Sequence, residues 1–186
     1  MKLKLLILLL FTNSILISQI QIIPLENKLN YLYNNDVTNY YFKDVNNELE
    51  KFTGKWKFVN DSIIVELEIL KIEKKYTGGY YYEDDLQIII RKKTFNPIQI
   101  NSNKEVFSHI IIGGYFENQN KINRFNLFFT EAIDKERPML CGHFSIVNLD
   151  FEINSKILIW NINLKELYFI KSTKLFPNRM IFEKEN

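Results

Sequence analysis

The sequence predicts an all-β domain, an antiparallel up-and-down barrel of roughly eight to ten short strands preceded by one short helix. Three observations carry this expectation. Apolar and polar residues alternate through most of the chain after Gly54, with Val147, Leu149, Phe151 and Ile153 set against Asn148, Asp150 and Glu152 as the cleanest case. Turn-forming pairs punctuate that alternation at Asn60-Asp61, Gly78-Gly79, Asn96-Pro97 and Asn154-Ser155. No βαβ alternation and no internal repeat is present, which argues against a doubly wound α/β sheet.

The chain has 186 residues, 46% hydrophobic and 15% aromatic, enough for one well-filled core and too apolar for disorder. Residues 1–18 read as a signal peptide. Lys2 and Lys4 form a basic start, residues 5–11 are an unbroken apolar run, and Ser18 is a small residue suited to precede the cut. Thr12-Asn13-Ser14 interrupts the run, which falls short of the ~20 apolar residues of a spanning helix. Export to the periplasm or beyond is therefore expected, with no membrane-embedded segment after cleavage. No cysteine near the cut supports a lipid anchor. Removing Lys2 and Lys4 leaves 22 basic and 22 acidic residues, a neutral balance that argues against a nucleic-acid partner.

Residues 19–39 read as an extended lead-in, broken at Pro24 and ending in the Asn34-Asn35-Asp36 turn, outside the core of a single barrel domain at 40–186. Asp44 is suited to cap a helix on which Val45, Leu49 and Phe52 form an apolar stripe, and Gly54 stops that helix. Trp56 and Phe58 then alternate with Lys55 and Lys57 as a first strand. Ile63, Val65, Leu67 and Ile69 face inward on the next. The phase then changes to Leu70, Ile72 and Tyr76, which predicts a bulge near Ile69-Leu70. Leu86, Ile88 and Ile90 lie on the return strand. Gly113-Gly114 marks a bulge or corner in the strand at 106–116. Phe125, Leu127 and Phe129 define the next inward face, and the loop at 131–138 is charged. Leu158, Trp160, Ile162 and Leu164 share a face, and residues 179–184 form the closing strand.

Gly54-Lys55-Trp56 resembles the G-x-W signature that opens the first strand of lipocalins and related calycin barrels. The resemblance implies a short helix closing the barrel bottom, Trp56 packed beneath it, and a basic residue over the indole, with Arg179 as the candidate. Three longer strings, IIPLE at 22–26, YFKDVNNEL at 41–49 and PNRMIFEK at 177–184, are similar to a family of secreted bacterial proteins, domain-of-unknown-function family 6705. That resemblance spans most of the mature chain and implies no activity.

Few residues suggest chemistry. His109 and His143 are the only histidines, in neither H-x-H nor H-E-x-x-H spacing, so no metal is expected. Cys141 is the only cysteine and cannot form a disulfide within the chain. Cys141 and His143 share a strand face, but no Asn or Asp is placed to orient the imidazole. Glu83-Asp84-Asp85 matches no EF-hand loop and reads as a solvated acidic edge, with at most Glu83 and Asp85 on one face. No G-x-S-x-G, P-loop or dinucleotide fingerprint is present, so neither an enzyme nor a cofactor is expected.

The functional reading is a secreted lipocalin-like binding protein whose interior holds a small apolar ligand. Phe58, Val65, Leu67, Leu86, Ile88, Phe125, Leu127, Leu149, Phe151 and Trp160 are the candidate lining residues, with Gly54, Trp56 and Arg179 as structural positions. A barrel of about eight strands either fills with its own side chains or holds one small ligand. The alternative is therefore a solid-core interaction module that meets a protein partner through its loops and edge tyrosines, beginning with Tyr80-Tyr81-Tyr82.

Overall fold

The computed structural model describes residues 20–34, 36–78, 80–94, 109–132, 142–163 and 176–185. Ten strands run through them: β1 (Gln21–Pro24), β2 (Tyr40–Lys43), β3 (Gly54–Val59), β4 (Ile63–Thr77), β5 (Tyr81–Thr94), β6 (His109–Phe116), β7 (Arg124–Ala132), β8 (Gly142–Glu152), β9 (Ile157–Asn163) and β10 (Arg179–Lys184). One short helix, α1 (Lys28–Asn34), follows a 3-10 turn at Leu25–Asn27, and a second 3-10 turn at Glu50–Phe52 leads into β3. The strands form one sheet in the order β1-β2-β5-β4-β3-β10-β9-β8-β7-β6.

From β3 onward the all-β expectation is met by antiparallel neighbours, and β10 returns to β3 through Glu183 opposite Lys57 and Lys184 opposite Trp56. The sheet is nevertheless open. β6 lies beside β5, but no backbone ladder joins them among the described residues. The first residues of β5 are already engaged, because Tyr82 and Glu83 pair with Tyr41 and Phe42 of β2. That pairing is parallel, as is β1 with β2, so the sheet is mixed rather than purely antiparallel. Parallel neighbours need a crossover, and residues 25–39 supply it with α1 inside. The lead-in therefore does not stay outside the core. Ile23, Leu25 and Lys28 are buried within it.

Alternation along the strands becomes a single interior. Val65, Leu67 and Ile69 of β4, Leu86 and Ile88 of β5, Phe125 and Leu127 of β7, Val147 and Leu149 of β8, Leu158 and Trp160 of β9 and Met180 and Phe182 of β10 belong to one buried cluster. Ile153 does not join it, because it sits exposed in the turn between β8 and β9.

The predicted helix before Gly54 is only partly realised. Asp44 does cap this segment, accepting from the backbone N–H of Glu48 at 2.7 Å and of Leu49 at 3.1 Å. The chain between forms turns, and only Glu50–Phe52 closes a 3-10 turn. Leu49 and Phe52 are fully buried, while Val45 stays 45% exposed. Asn47 adopts a positive φ of 56°, which breaks the helical path between Val45 and Leu49.

The bulge in β4 lies later than expected. Pairing with β5 is regular from Ile63 to Ile72 and resumes at Lys75, with the register shift between them. No phase change occurs at Ile69-Leu70. The inward series continues to Lys71, a residue that looks polar in sequence but finds a buried carboxylate there. The irregularity expected at Gly113-Gly114 is present, since the β6–β7 register shifts between Ile111 and Gly114.

Candidate functional site

β4 and β5, of 15 and 14 residues, are the longest strands and form one hairpin. Its turn is closed by the Tyr80 N–H donating to the Thr77 carbonyl at 3.2 Å, with Gly78 at φ +57°. The tip presents tyrosines to solvent: Tyr76 is 58% and Tyr80 66% exposed. Tyr76 packs on Tyr82 with ring centroids 5.1 Å apart, and the Lys74 ammonium lies 5.3 Å from the Tyr82 ring centre.

The base of this tip is the segment expected to be a solvated acidic edge. Instead Glu83, Asp84 and Asp85 are only 1%, 2% and 1% exposed. Burying three carboxylates is costly unless each is paired or hydrogen-bonded, and each is. Lys28 from α1 pairs with Glu83, and Lys75 pairs with Asp85 at 2.6 Å. Asp84 has three uncharged donors: the Tyr41 hydroxyl at 2.5 Å, the Asp44 N–H at 2.9 Å and the Lys74 N–H at 2.9 Å. The last donor depends on the bulge, where Lys74 sits at φ +52°. Asp44 in turn accepts from Lys71 at 2.8 Å. Four carboxylates and three ammonium groups thus brace the hairpin against β2, α1 and the turns that lead to Phe52.

The brace shifts its phenols and its lysine. Burial, then the Asp84 hydrogen bond, holds the Tyr41 hydroxyl far above the ordinary phenol range. Burial, then the charges of Glu83 and Asp85, pushes Tyr81 up to about 12. Burial alone would lower Lys71, but the Asp44 hydrogen bond and charge outweigh it and raise the ammonium's pKa. Among the described residues no group of His, Cys, Asp and Glu is arranged to hold a metal ion.

The ten candidate lining residues are brought together on the inner face. Eight are buried in the core cluster, and Phe58 and Phe151 pack against it partly buried. Trp56 is fully buried, and its indole N–H donates to the Phe52 carbonyl at 2.8 Å. The cation over its ring is Lys184 at 5.2 Å, not Arg179, which is exposed. β10 explains the exchange: Lys184 is the register partner of Trp56, whereas Arg179 pairs with Asn161 of β9. Gly54 has φ +113°, and a Cβ there would approach Lys184 Cε to 2.9 Å. Of the charged loop expected at 131–138, Glu131 and Ala132 end β7, and the remaining residues, like Cys141, lie outside the described residues.

A family model matches residues 1–131, a span that holds the hairpin, its brace, Gly54 and Trp56. The chain belongs to DUF6705, a family of unknown function. No curated protein matches it, and no solved structure does. The matched span ends within β7, so β8, β9 and β10, including Lys184, lie beyond it. No helix among the described residues of this DUF6705 chain is long and apolar enough to cross a membrane.

The sequence reading missed Lys28 and Lys71 as members of the site. Lys71 carried a signal, since it extends the inward spacing of Val65, Leu67 and Ile69. Lys28 carried none, because its partners Glu83 and Gly114 are distant in sequence.

Proposed function

We propose that this DUF6705 protein is an exported interaction module that performs no chemistry of its own and binds a protein partner through the tip of the β4–β5 hairpin. The observation that carries the reading is the pairing of exposed Tyr76 and Tyr80 with a rigid, fully paired base at Glu83, Asp84 and Asp85. Tyrosines supply large contact area at low conformational cost, and a fixed base removes much of the ordering cost of binding. The interior supports this reading over a lipocalin-like carrier. Phe52, Phe116, Phe125, Phe182, Trp56 and Trp160 are essentially fully buried there, and these large rings take up the space that an apolar ligand needs. Barrel closure itself belongs to this proposal, with the β5–β6 seam drawn together by side chains. Export rests on the basic start and apolar run of residues 1–18.

The test places a photo-crosslinking amino acid at position 80 of the mature protein and exposes it to the envelope and secreted fractions of the producing cell. One defined adduct is expected, lost when Tyr76→Ser is introduced in a variant whose melting curve shows that it still folds. Fatty acids or hydrophobic dyes that raise the melting temperature and copurify with the protein would overturn the reading in favour of an interior carrier. N-terminal sequencing of the exported product tests the cleavage near residue 18.

A further inference from the structure

The outer face of the sheet carries an apolar row beside the β3–β4 turn. Leu158, Trp160, Met180 and Phe182 point into the core, so alternation sends Ile159 of β9 and Ile181 of β10 outward, where they are register partners. Across the β3–β10 junction, Val59 and Ile64 are likewise outward register partners. The junction joins the two pairs. Glu183 lies opposite Lys57, and carrying that register on by two residues sets Ile181 opposite Val59. Val59 is 58% and Ile181 45% exposed, and Ile159 and Ile64 are half-buried. A contiguous apolar row on a solvent face marks an interaction site. We propose that it is the centre of a symmetric interface with a second copy of this chain, packed sheet on sheet.

The charges that flank the row identify the occupant. On β10, Arg179 and Glu183 stand on the same face as Ile181, one step to either side of it, and both are exposed. Neither has an ion pair among the described residues. On β3 the signs run the other way across the row. Lys57 stands one step before Val59, beside Glu183, and exposed Asp61 follows Val59 at the turn. Lys57 lies 3.8 Å from Glu66 and 3.3 Å from Glu185, with 38% of its side chain still open to solvent.

This pattern is complementary to itself. A second copy turned over about a two-fold axis along the row sets Ile181 on Ile181, Arg179 on Glu183 and Lys57 on Asp61, with each charge pair made twice. Sheets stack in this way with their strands about 30° apart. A partner of one sign would be repelled by either Arg179 or Glu183, and an apolar partner would leave both charges unmatched. Four apolar residues make a small centre, so the dimer belongs with weak interfaces of about micromolar affinity. The Tyr76 tip lies at the other end of β4, roughly 40 Å from Ile64 at strand spacing, so both tips stay free in the dimer and meet a partner together. The inference uses no tip residue, so it stands or falls separately from the protein partner proposed above.

The test is sedimentation velocity of the mature full chain from about 1 to 500 µM, a range that brackets micromolar affinity. A concentration-dependent passage from monomer to dimer is expected. Ile181→Glu is expected to hold the chain as a monomer throughout. Arg179→Glu is expected to weaken the dimer about tenfold or more, and Arg179→Glu with Glu183→Arg to restore it to within about threefold of the parent. Melting curves on the dilute variants establish that each folds. A parent that stays monomeric across the range overturns the proposal, also where a photo-crosslinker at position 59 captures a different protein. So does a dimer that Ile181→Glu leaves intact, or one that Arg179→Glu weakens and the double variant fails to restore.

Discussion

Lys28 and Glu83 form a buried ion pair at the β5–β6 seam, which no backbone ladder closes among the described residues. The same ammonium donates to the Gly114 carbonyl on β6 at 3.1 Å and lies 5.6 Å from the Tyr81 ring centre. One side chain from α1 therefore ties β5 to β6. Removing one partner of such a pair leaves a buried charge uncompensated, so Lys28→Met is expected to cost about 3–5 kcal/mol. Pairing it with Glu83→Leu is expected to recover at least half of that loss, because two apolar groups replace two charges. Urea unfolding of the three variants measures both values. A cost of under about 1 kcal/mol for Lys28→Met, the size of a surface effect, would show that the seam is held by something else.

Trp56 and Lys184 give a second, graded expectation. Trp56→Ala removes a fully buried indole from under the Glu50–Phe52 turn and is expected to cost about 3–5 kcal/mol. Lys184→Ala removes only the cation over the ring, about 0.5–1 kcal/mol. Arg179→Ala is expected to stay within about 0.5 kcal/mol of the parent. If the last two exchange rank, Arg179 rather than Lys184 serves the indole.

Gly114 is constrained from two sides. Its carbonyl receives Lys28, and a Cβ at this position would run into the ring of Phe125. Gly114→Ala is therefore an overpacking change, expected to destabilise by about 1–3 kcal/mol. Adding Phe125→Leu to it is expected to restore part of the loss, whereas Phe125→Leu in the parent lowers stability. A double variant no more stable than Gly114→Ala alone would mean that backbone conformation, not the ring, sets the cost.

Local periodicity made much of this architecture legible. Val65, Leu67, Ile69, Leu149 and Trp160 announce their inward face by spacing alone, and Asn60 announces its turn, its side chain accepting the Ser62 and Ile63 N–H groups at 2.9 and 2.8 Å. What stayed hidden depends on contacts between distant segments. Little near Glu83 and Asp84 signals burial, because their partners Lys28, Tyr41 and the Asp44 N–H come from the lead-in, β2 and the residue that follows it. Likewise the parallel placement of β2 against β5 is fixed only once α1 has carried the chain across. Lys184 over Trp56 follows from the β3–β10 register, which the sequence does not number.

The brace predicts how stability responds to alkali. Tyr41 and Tyr81 have phenols raised above the ordinary value of 10.0, by burial first and by neighbouring carboxylates second. Both therefore keep their protons in the folded protein at a pH where the unfolded chain loses them. The stabilisation is fully present below pH 10 and falls as pH rises through the folded values, for Tyr81 near 12. Lys71 acts in the same direction, since its raised ammonium favours the folded state until it is deprotonated above 10.5. Stability by urea unfolding is thus expected to be flat to about pH 9 and to decline beyond about pH 10. Tyr41→Phe separates the contributions. It loses the hydrogen bond to Asp84, so it is less stable at neutral pH, but it no longer carries an ionisable phenol, so its decline above pH 10 is shallower than the parent's. If the two curves run parallel through the alkaline range, Tyr41 ionises no later in the folded protein than in the unfolded chain, and its burial against Asp84 is not what the geometry implies.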